Sequence, residues 1–148
     1  MTFVYQVGTT YRQVEQMAHP SEPLLENCRV LIVEDEFLLG DDLAQALRRL
    51  GIQVIGPVTE LSNAMSVEHD SFDVAVLDIN LRGSSSYPLA DELIRDAIPF
   101  IFTTGYGAET IPDRFRDVRR REKPYEVETV TADVAELCGR QLRARLAV

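Results

Sequence analysis

The chain has 148 residues, of which 45% are hydrophobic and 26% are charged, and its formal net charge is −9. These values are typical of one globular domain with a real core, and the acidic balance argues against direct binding to nucleic acid. No apolar run approaches the roughly 20 residues of a membrane-spanning helix, and the N-terminus lacks a secretion signal, so we expect a cytoplasmic protein without membrane contact.

Residues 1–27 differ from the rest of the chain because they mix polar residues without a clear period. The segment "HPSEP", from His19 to Pro23, would interrupt any helix there. We predict an N-terminal extension of unknown role, helical in part at most, followed by one domain over residues 28–148. Cys28 and Cys138 share no metal-ligand spacing and are expected to be buried thiols in a reducing compartment.

From residue 29 onward, predicted strands alternate with predicted helices. The strands are expected at 29–33, 53–56, 74–78, 99–104 and 118–124, and the helices at 39–50, 59–69, 88–97, 108–117 and 130–146. Thr59 or Ser62 is the expected cap of the second helix. This alternation predicts an α/β fold with a doubly wound parallel sheet and helices on both faces. Three arginines at 119–121 put the fifth strand at an edge, and the fold class suggests the flavodoxin-like order 2-1-3-4-5.

The residues that follow the predicted strands can all bind a metal ion or a phosphoryl group. They are Glu34, Asp35 and Glu36 after the first strand, Asp78 after the third, Thr103 and Thr104 at the end of the fourth, and Lys123 after the fifth. Because the carboxyl ends of parallel strands meet at one edge of the sheet, we expect these side chains to surround one site.

The chemistry of this set indicates phosphoryl transfer. Crowded carboxylates repel one another, and Mg²⁺ relieves that repulsion, since it prefers carboxylates together with water and phosphate oxygens. Asp78 could then attack a phosphoryl group. The metal, the Lys123 ammonium and the Thr104 hydroxyl could each stabilise one phosphoryl oxygen.

Four segments, "VLIVEDE", "LDINLRG", "FTTGYG" and "EKPY", resemble those in which receiver domains of bacterial two-component response regulators carry their site residues. In that family they hold an acid pair, the phosphoacceptor Asp, a Thr or Ser, and Lys-Pro. The resemblance covers about residues 29–146. "PFIFTTGYG" is also similar to the "F-A-T-G-Y" signature of stand-alone receivers nicknamed FAT GUY regulators, with Thr103 in place of the alanine.

The resemblance implies a role for each matching residue. Glu34 and Asp35 would bind Mg²⁺, Asp35 more directly, and Asn80 would add its backbone carbonyl. Asp78 would bind the metal and accept the phosphoryl group from a phosphohistidine.

Two further residues would complete the reaction. Thr104 would move to meet the phosphoryl group, and Lys123 would pair first with Asp78 and then with the phosphate. Two positions and the length of one segment depart from the family. Arg82 stands where many receivers have Pro, and Arg120 replaces a common switch aromatic, which leaves Tyr106 as the substitute. The span from Thr104 to Lys123 is short, so we expect a stunted or mobile fourth helix.

We therefore predict a single-domain response regulator that is a phosphoacceptor and not an enzyme, although its phosphoaspartate would hydrolyse by itself. Its partners would be a sensor histidine kinase or a phosphotransfer protein and an unknown downstream protein; whether it forms a homodimer stays open.

One alternative is a Mg²⁺-dependent phosphohydrolase with an aspartyl nucleophile, but such enzymes place that residue after the first strand in a D-x-D pattern. Another is a pseudo-receiver that binds partners without phosphorylation, which the complete set of site residues argues against. A dinucleotide-binding domain is excluded, because no Gly-rich turn follows the first strand.

Overall fold

The structure is a computed structural model that describes residues 2–7 and 10–15 as backbone, and residues 24–105 and 111–147 in full. In chain order the strands are β1 Thr2–Val7, β2 Thr10–Glu15, β3 Arg29–Val33, β4 Gln53–Val58, β5 Val74–Asp78, β6 Asn80–Leu81, β7 Ser84–Ser85, β8 Phe100–Thr104 and β9 Arg120–Glu122. The helices are α1 Phe37–Arg49, α2 Leu61–Met65, α3 Tyr87–Arg95 and α4 Val127–Leu146, with 3₁₀ turns at Leu25–Asn27, His69–Ser71 and Asp113–Phe115.

The described residues of the N-terminal segment, 2–7 and 10–15, form strands, whereas we expected helix in part at most. β1 and β2 pair antiparallel, with Val7 opposite Thr10. Most residues of these two segments are β-branched or aromatic, a composition that favours strands over helix. The expected domain boundary at residue 28 stays a prediction.

The main sheet has the expected architecture. Within the described residues, five strands form one parallel sheet in the order β4-β3-β5-β8-β9. Counted along the chain from residue 29, this is the order 2-1-3-4-5, which confirms the flavodoxin-like prediction. The reversal of strand order between β3 and β5 opens a crevice at the carboxyl ends of these strands, where such sheets bind ligands.

The sheet is buried on both faces, because alternate residues of each strand point to opposite sides. Along β3, Val30 and Ile32 pack with α1 and α4, whereas Leu31 and Val33 pack with α2 and α3. This arrangement explains why the buried strands are apolar without alternation. It also holds the carboxyl ends of the central strands in a fixed layer.

α2 is shorter than the helix expected at 59–69. It begins after Glu60, which makes no side-chain cap, so neither Thr59 nor Ser62 caps it as expected. The helix ends at Met65, and the hydroxyl of the next residue, Ser66, donates to the carbonyl of Ser62. Such bonds let serine end a helical turn locally.

The described part of the segment between β8 and β9 contains a 3₁₀ turn at Asp113–Phe115, in agreement with the expected stunted helix. Phe115 is buried and stacks on Tyr87 of α3, with ring centroids 5.2 Å apart. It also meets the edge of Phe102 of β8 at 5.4 Å. One aromatic anchor therefore holds this segment on the sheet.

β9 lies at the sheet edge, as its arginines predicted, but these arginines are not merely solvated. Arg121 donates two hydrogen bonds to the buried carboxylate of Asp133 on α4. Arg119 donates to Asp133 and to Glu136. The last helix therefore supplies the acids that the edge strand needs.

The expectation of two separate buried thiols is wrong. Cys28, which precedes β3, and Cys138 in α4 form a disulfide with their Cα atoms 5.9 Å apart. Both belong to the core between the sheet and α4, and this separation is the usual one for a disulfide. Residues 110 positions apart in sequence are brought together by packing alone.

A buried carboxylate ties the C-terminal end of α4 to the start of β3. Asp73 has no exposed surface and accepts hydrogen bonds from the backbone and the guanidinium of Arg29 and from Arg145 of α4.

No helix in the described part of the chain is long and apolar enough to cross a membrane.

Candidate functional site

Five of the predicted site residues come together at the carboxyl edge of the sheet, since each follows or ends a parallel strand. Glu34 and Asp35 follow β3, Asp78 ends β5, Thr104 ends β8 and Lys123 follows β9. The backbone N–H of Lys123 donates to the carbonyl of Thr104 at 2.7 Å, which ties the last two strand ends together. The sheet therefore sets the spacing of the site.

Three carboxylates form the centre of the site. Oxygens of Glu34, Asp35 and Asp78 all lie within 4.8 Å of one another. Glu34 and Asp78 are only 3% and 4% exposed, while Asp35 is half-buried. Burial and mutual repulsion disfavour three negative charges so close together, so this cluster needs positive charge.

Lys123 provides part of that charge. Its Nζ lies 2.9 Å from an oxygen of Asp78, 2.9 Å from Glu34 and 3.0 Å from Glu36. Burial alone would lower the pKa of Lys123, but the hydrogen bonds with Glu34, Asp78 and Glu36 outweigh it and raise the pKa above its usual range. The ammonium is therefore charged and lies beside the Asp78 carboxylate.

The single Lys123 ammonium does not balance the negative charge of the three carboxylates. Burial, together with the neighbouring Asp78 carboxyl, raises the pKa of Glu34 to about 8, although Lys123 opposes the shift. Glu34 Oε1 is buried, and its contact among the described residues is the 2.9 Å ion pair with Lys123, whose ammonium Asp78 and Glu36 also share. An acidic oxygen in this condition, with two more carboxylates in reach, fits a hard divalent cation.

The hairpin of β6 and β7 borders the cluster. The Asn80 N–H donates to Asp78 at 3.2 Å, and the Asn80 side-chain oxygen accepts from the N–H of Gly83 at 3.0 Å. The N–H of Arg82 donates to Asp35 Oδ2 at 3.0 Å. The predicted role of the Asn80 carbonyl as a metal ligand stays a prediction.

The predicted hydroxyl residue, Thr104, is buried at the end of β8, one residue after Thr103. The proposed switch residue, Tyr106, lies outside the described residues. A cleft of about 360 Å³ opens over the cluster and is lined by Asp35, Glu36, Asp78, Asn80, Arg82, Gly83, Gly105 and Lys123.

Sequence reasoning gave no separate role to two residues of this cleft. Glu36 is expected at the site as one of three consecutive acids, and the structure adds its partner, Lys123, whose Nζ lies 3.0 Å from a Glu36 oxygen. Arg82 was noted only as a departure from a family pattern, yet its main chain contacts Asp35. The run of three consecutive acids in the sequence indicates that Glu36 lies near the site. Its ion pair with Lys123 could not be predicted, because Lys123 follows β9 and only the fold brings the two residues together.

Comparison with known proteins gives several matches of the same kind, although no protein-family model matches. SdrG from Sphingomonas melonis Fr1 is 36% identical, with a TM-score of 0.65 over 76% of this chain and 97% of SdrG. A BeF3-activated conformation of SdrG gives a TM-score of 0.61. The receiver domain of HemR from Leptospira biflexa is 25% identical, with a TM-score of 0.65 over 75% of this chain and 94% of that domain.

A match to a curated protein agrees with these structures. The phyllosphere-induced regulator PhyR of Methylorubrum extorquens is 31% identical over 126 residues, which are 78% of this chain and 45% of PhyR. The chain spans less than half the length of this and another curated relative.

Proposed function

The chain belongs to the receiver domains of two-component response regulators, and we propose that it accepts a phosphoryl group on Asp78 from a phosphohistidine donor. The donor would be a sensor histidine kinase or a phosphotransfer protein. The observation that carries the proposal is the convergence of three carboxylates within 4.8 Å of one another beside the Lys123 ammonium, 2.9 Å from Asp78.

The transfer needs a nucleophile and a leaving group. An oxygen of Asp78 forms the new bond to phosphorus, while the phosphorus–nitrogen bond of the donor breaks and its electron pair returns to the imidazole. With acetyl phosphate as donor, the phosphorus–oxygen bond breaks and acetate leaves. The product in both cases is an acyl phosphate on Asp78.

Charge stabilisation is the main task of the other residues. The Lys123 ammonium would pair with the Asp78 carboxylate before the transfer and with a phosphoryl oxygen after it. The Thr104 hydroxyl would donate a hydrogen bond to another phosphoryl oxygen. Glu34, Asp35 and Asp78 would hold Mg²⁺, which when bound neutralises the carboxylates and the phosphoryl oxygens. The buried Glu34 oxygen, which shares one ammonium with two other carboxylates, and the chemistry of the donor set support this assignment.

The output would be a contact with another protein or onward transfer of the phosphoryl group. The carboxylates and Lys123 rearrange when phosphate joins the site, and that change would bias neighbouring loops between two states. The BeF3-activated conformation of the related SdrG supports a phosphorylation-dependent change in this chain.

Labelling of the full chain tests the proposal. We expect acetyl phosphate with Mg²⁺ to add one phosphoryl group, measured by intact mass, and we expect Asp78→Asn to abolish it. The matched control is Asp70→Asn, because Asp70 is exposed in the 3₁₀ turn before β5, at the other end of that strand. Full labelling of Asp78→Asn would refute the assignment, and steady multiple turnover of phosphomonoesters would favour a phosphohydrolase.

A further inference from the structure

The turn between β6 and β7 carries an arginine in a conformation that does not suit it. The hairpin pairs Asn80 with Ser85 and Leu81 with Ser84, which leaves Arg82 and Gly83 as a two-residue loop. Their φ angles are 50° and 86°. Two positive φ angles belong to a type I′ turn, in which the first position favours Asn, Asp or Gly.

The main chain at this position needs no arginine. The N–H of Arg82 donates to Asp35, and the N–H of Gly83 donates to the side chain of Asn80. Any residue except proline supplies the same N–H at position 82, and glycine or asparagine would supply it without the steric conflict of a long side chain at positive φ. A strained residue kept beside a site suggests a function for its side chain.

The contacts of the Arg82 side chain do not account for it either. The side chain is 60% exposed, and its guanidinium lies 3.4 Å from a carboxylate oxygen of Glu60, which is 52% exposed. Charge-assisted hydrogen bonds are usually near 2.7–2.9 Å, so this is a loose surface pair of small effect. Arg82 lines the cleft over Asp78 and also the neighbouring cleft that contains Glu60, so it lies at the border between the two.

The charges of that cleft make a cation at its rim useful. Asp35, Glu36 and Asp78 line it, and Lys123 is already shared among carboxylates. A phosphoryl donor is itself an anion and must approach this acidic surface. Among the described residues that line the cleft, Arg82 is the cation whose charge is not committed to the carboxylate cluster.

We propose that Arg82 captures the phosphodonor by binding its phosphoryl oxygens at the cleft rim, from the type I′ turn that docks on Asp35. The inference rests on the proposed phosphorylation of Asp78. Planar guanidinium groups bind phosphate oxygens in pairs. Lys123, beside Asp78, acts on the reacting group, whereas Arg82 acts on donor binding and selects donors by charge.

The test compares variants that separate donor capture from a structural role. Arg82→Gly and Arg82→Asn both suit the turn and remove the cation, while Glu60→Gln removes the competing carboxylate and keeps the arginine. We expect the arginine variants to raise the acetyl phosphate concentration for half-maximal labelling rate about fivefold, the size of an exposed charge interaction. The maximal rate should stay near that of the wild type, and Glu60→Gln should lower the half-maximal concentration.

Two binding measurements without turnover complete the test. Removing a cation from the cleft weakens binding of beryllofluoride, an anion, but strengthens or leaves unchanged the binding of Mg²⁺, whereas a distorted site would weaken both. Calorimetric titration measures each affinity. An unchanged half-maximal concentration in Arg82→Gly, or a shift in the same direction in Glu60→Gln, would overturn the inference while leaving Asp78 labelling intact. Absence of label on the wild-type chain would overturn the proposed function as well.

Discussion

The disulfide between Cys28 and Cys138 should contribute a large share of the stability of the domain. It closes a loop with a sequence separation of 110 residues. In the chain-entropy treatment, a loop of this length lowers the entropy of the unfolded chain by about 16 cal/mol/K, or about 5 kcal/mol at 25 °C. Domains of this size have total unfolding free energies of about 5–15 kcal/mol. Reduction of the disulfide should therefore remove a large part of the stability of the domain.

Urea unfolding of the oxidised and the reduced chain measures this effect. We expect reduction by dithiothreitol to lower the unfolding free energy of the wild type by several kcal/mol. The double variant Cys28→Ala, Cys138→Ala should unfold near the reduced wild type and should not respond to the reductant. A thiol titration in denaturant provides the direct check. Two free thiols in the untreated protein, or equal urea midpoints with and without reductant, would show that the reasoning is wrong.

Two further predictions concern stability. Burial would raise the pKa of Asp73, but hydrogen bonds from Arg29 and Arg145 lower it below the ordinary 3.8, so its ion pairs stabilise the fold above about pH 4 and are lost as the pH falls through the lowered pKa. Asp73→Asn should cost about 3 kcal/mol at pH 7, the low end for a buried ion pair because both arginines are partly exposed, and should flatten the loss of stability between pH 5 and pH 3 in urea titrations; identical pH profiles would contradict this. Gly56→Ala should lower the unfolding free energy by about 3 kcal/mol, because φ is +101° and the new Cβ would lie 2.7 Å from the carbonyl oxygen of Ile32. The same substitution at Gly83, where φ is +86° and no atom lies within 4 Å, should cost about 1 kcal/mol, and equal urea midpoints for the two variants would refute the packing argument.

Much of the fold could be predicted because its signals are local. Apolar runs such as 29–33 and 74–78 are strands buried on both faces, and Val130, Val134, Cys138 and Leu142 recur every four residues along α4. The order of strands followed from the fold class, and no single residue carries it. The β1–β2 pair was not predicted, because polar residues interrupt the apolar residues of these two segments and hide the period of two that indicates a strand.

The sequence predicts which residues lie at the candidate site but not which of them form ion pairs and hydrogen bonds with one another. Strand ends in a parallel sheet share an edge, so the convergence of Glu34, Asp78 and Lys123 follows from the order of elements. The partner of each charge does not, because it depends on side-chain direction after folding. For the same reason Asp133 and its arginines, and the pairing of the two cysteines, were invisible in the sequence.

The arginine-rich strand at the border of the sheet also affects how copies of the chain meet one another. β9 is only three residues long, and its residues are all charged. A strand from a second molecule would find few backbone groups to pair with and would have to desolvate charges to reach them. Growth of the sheet into fibrils is therefore discouraged along this border, even at high protein concentration.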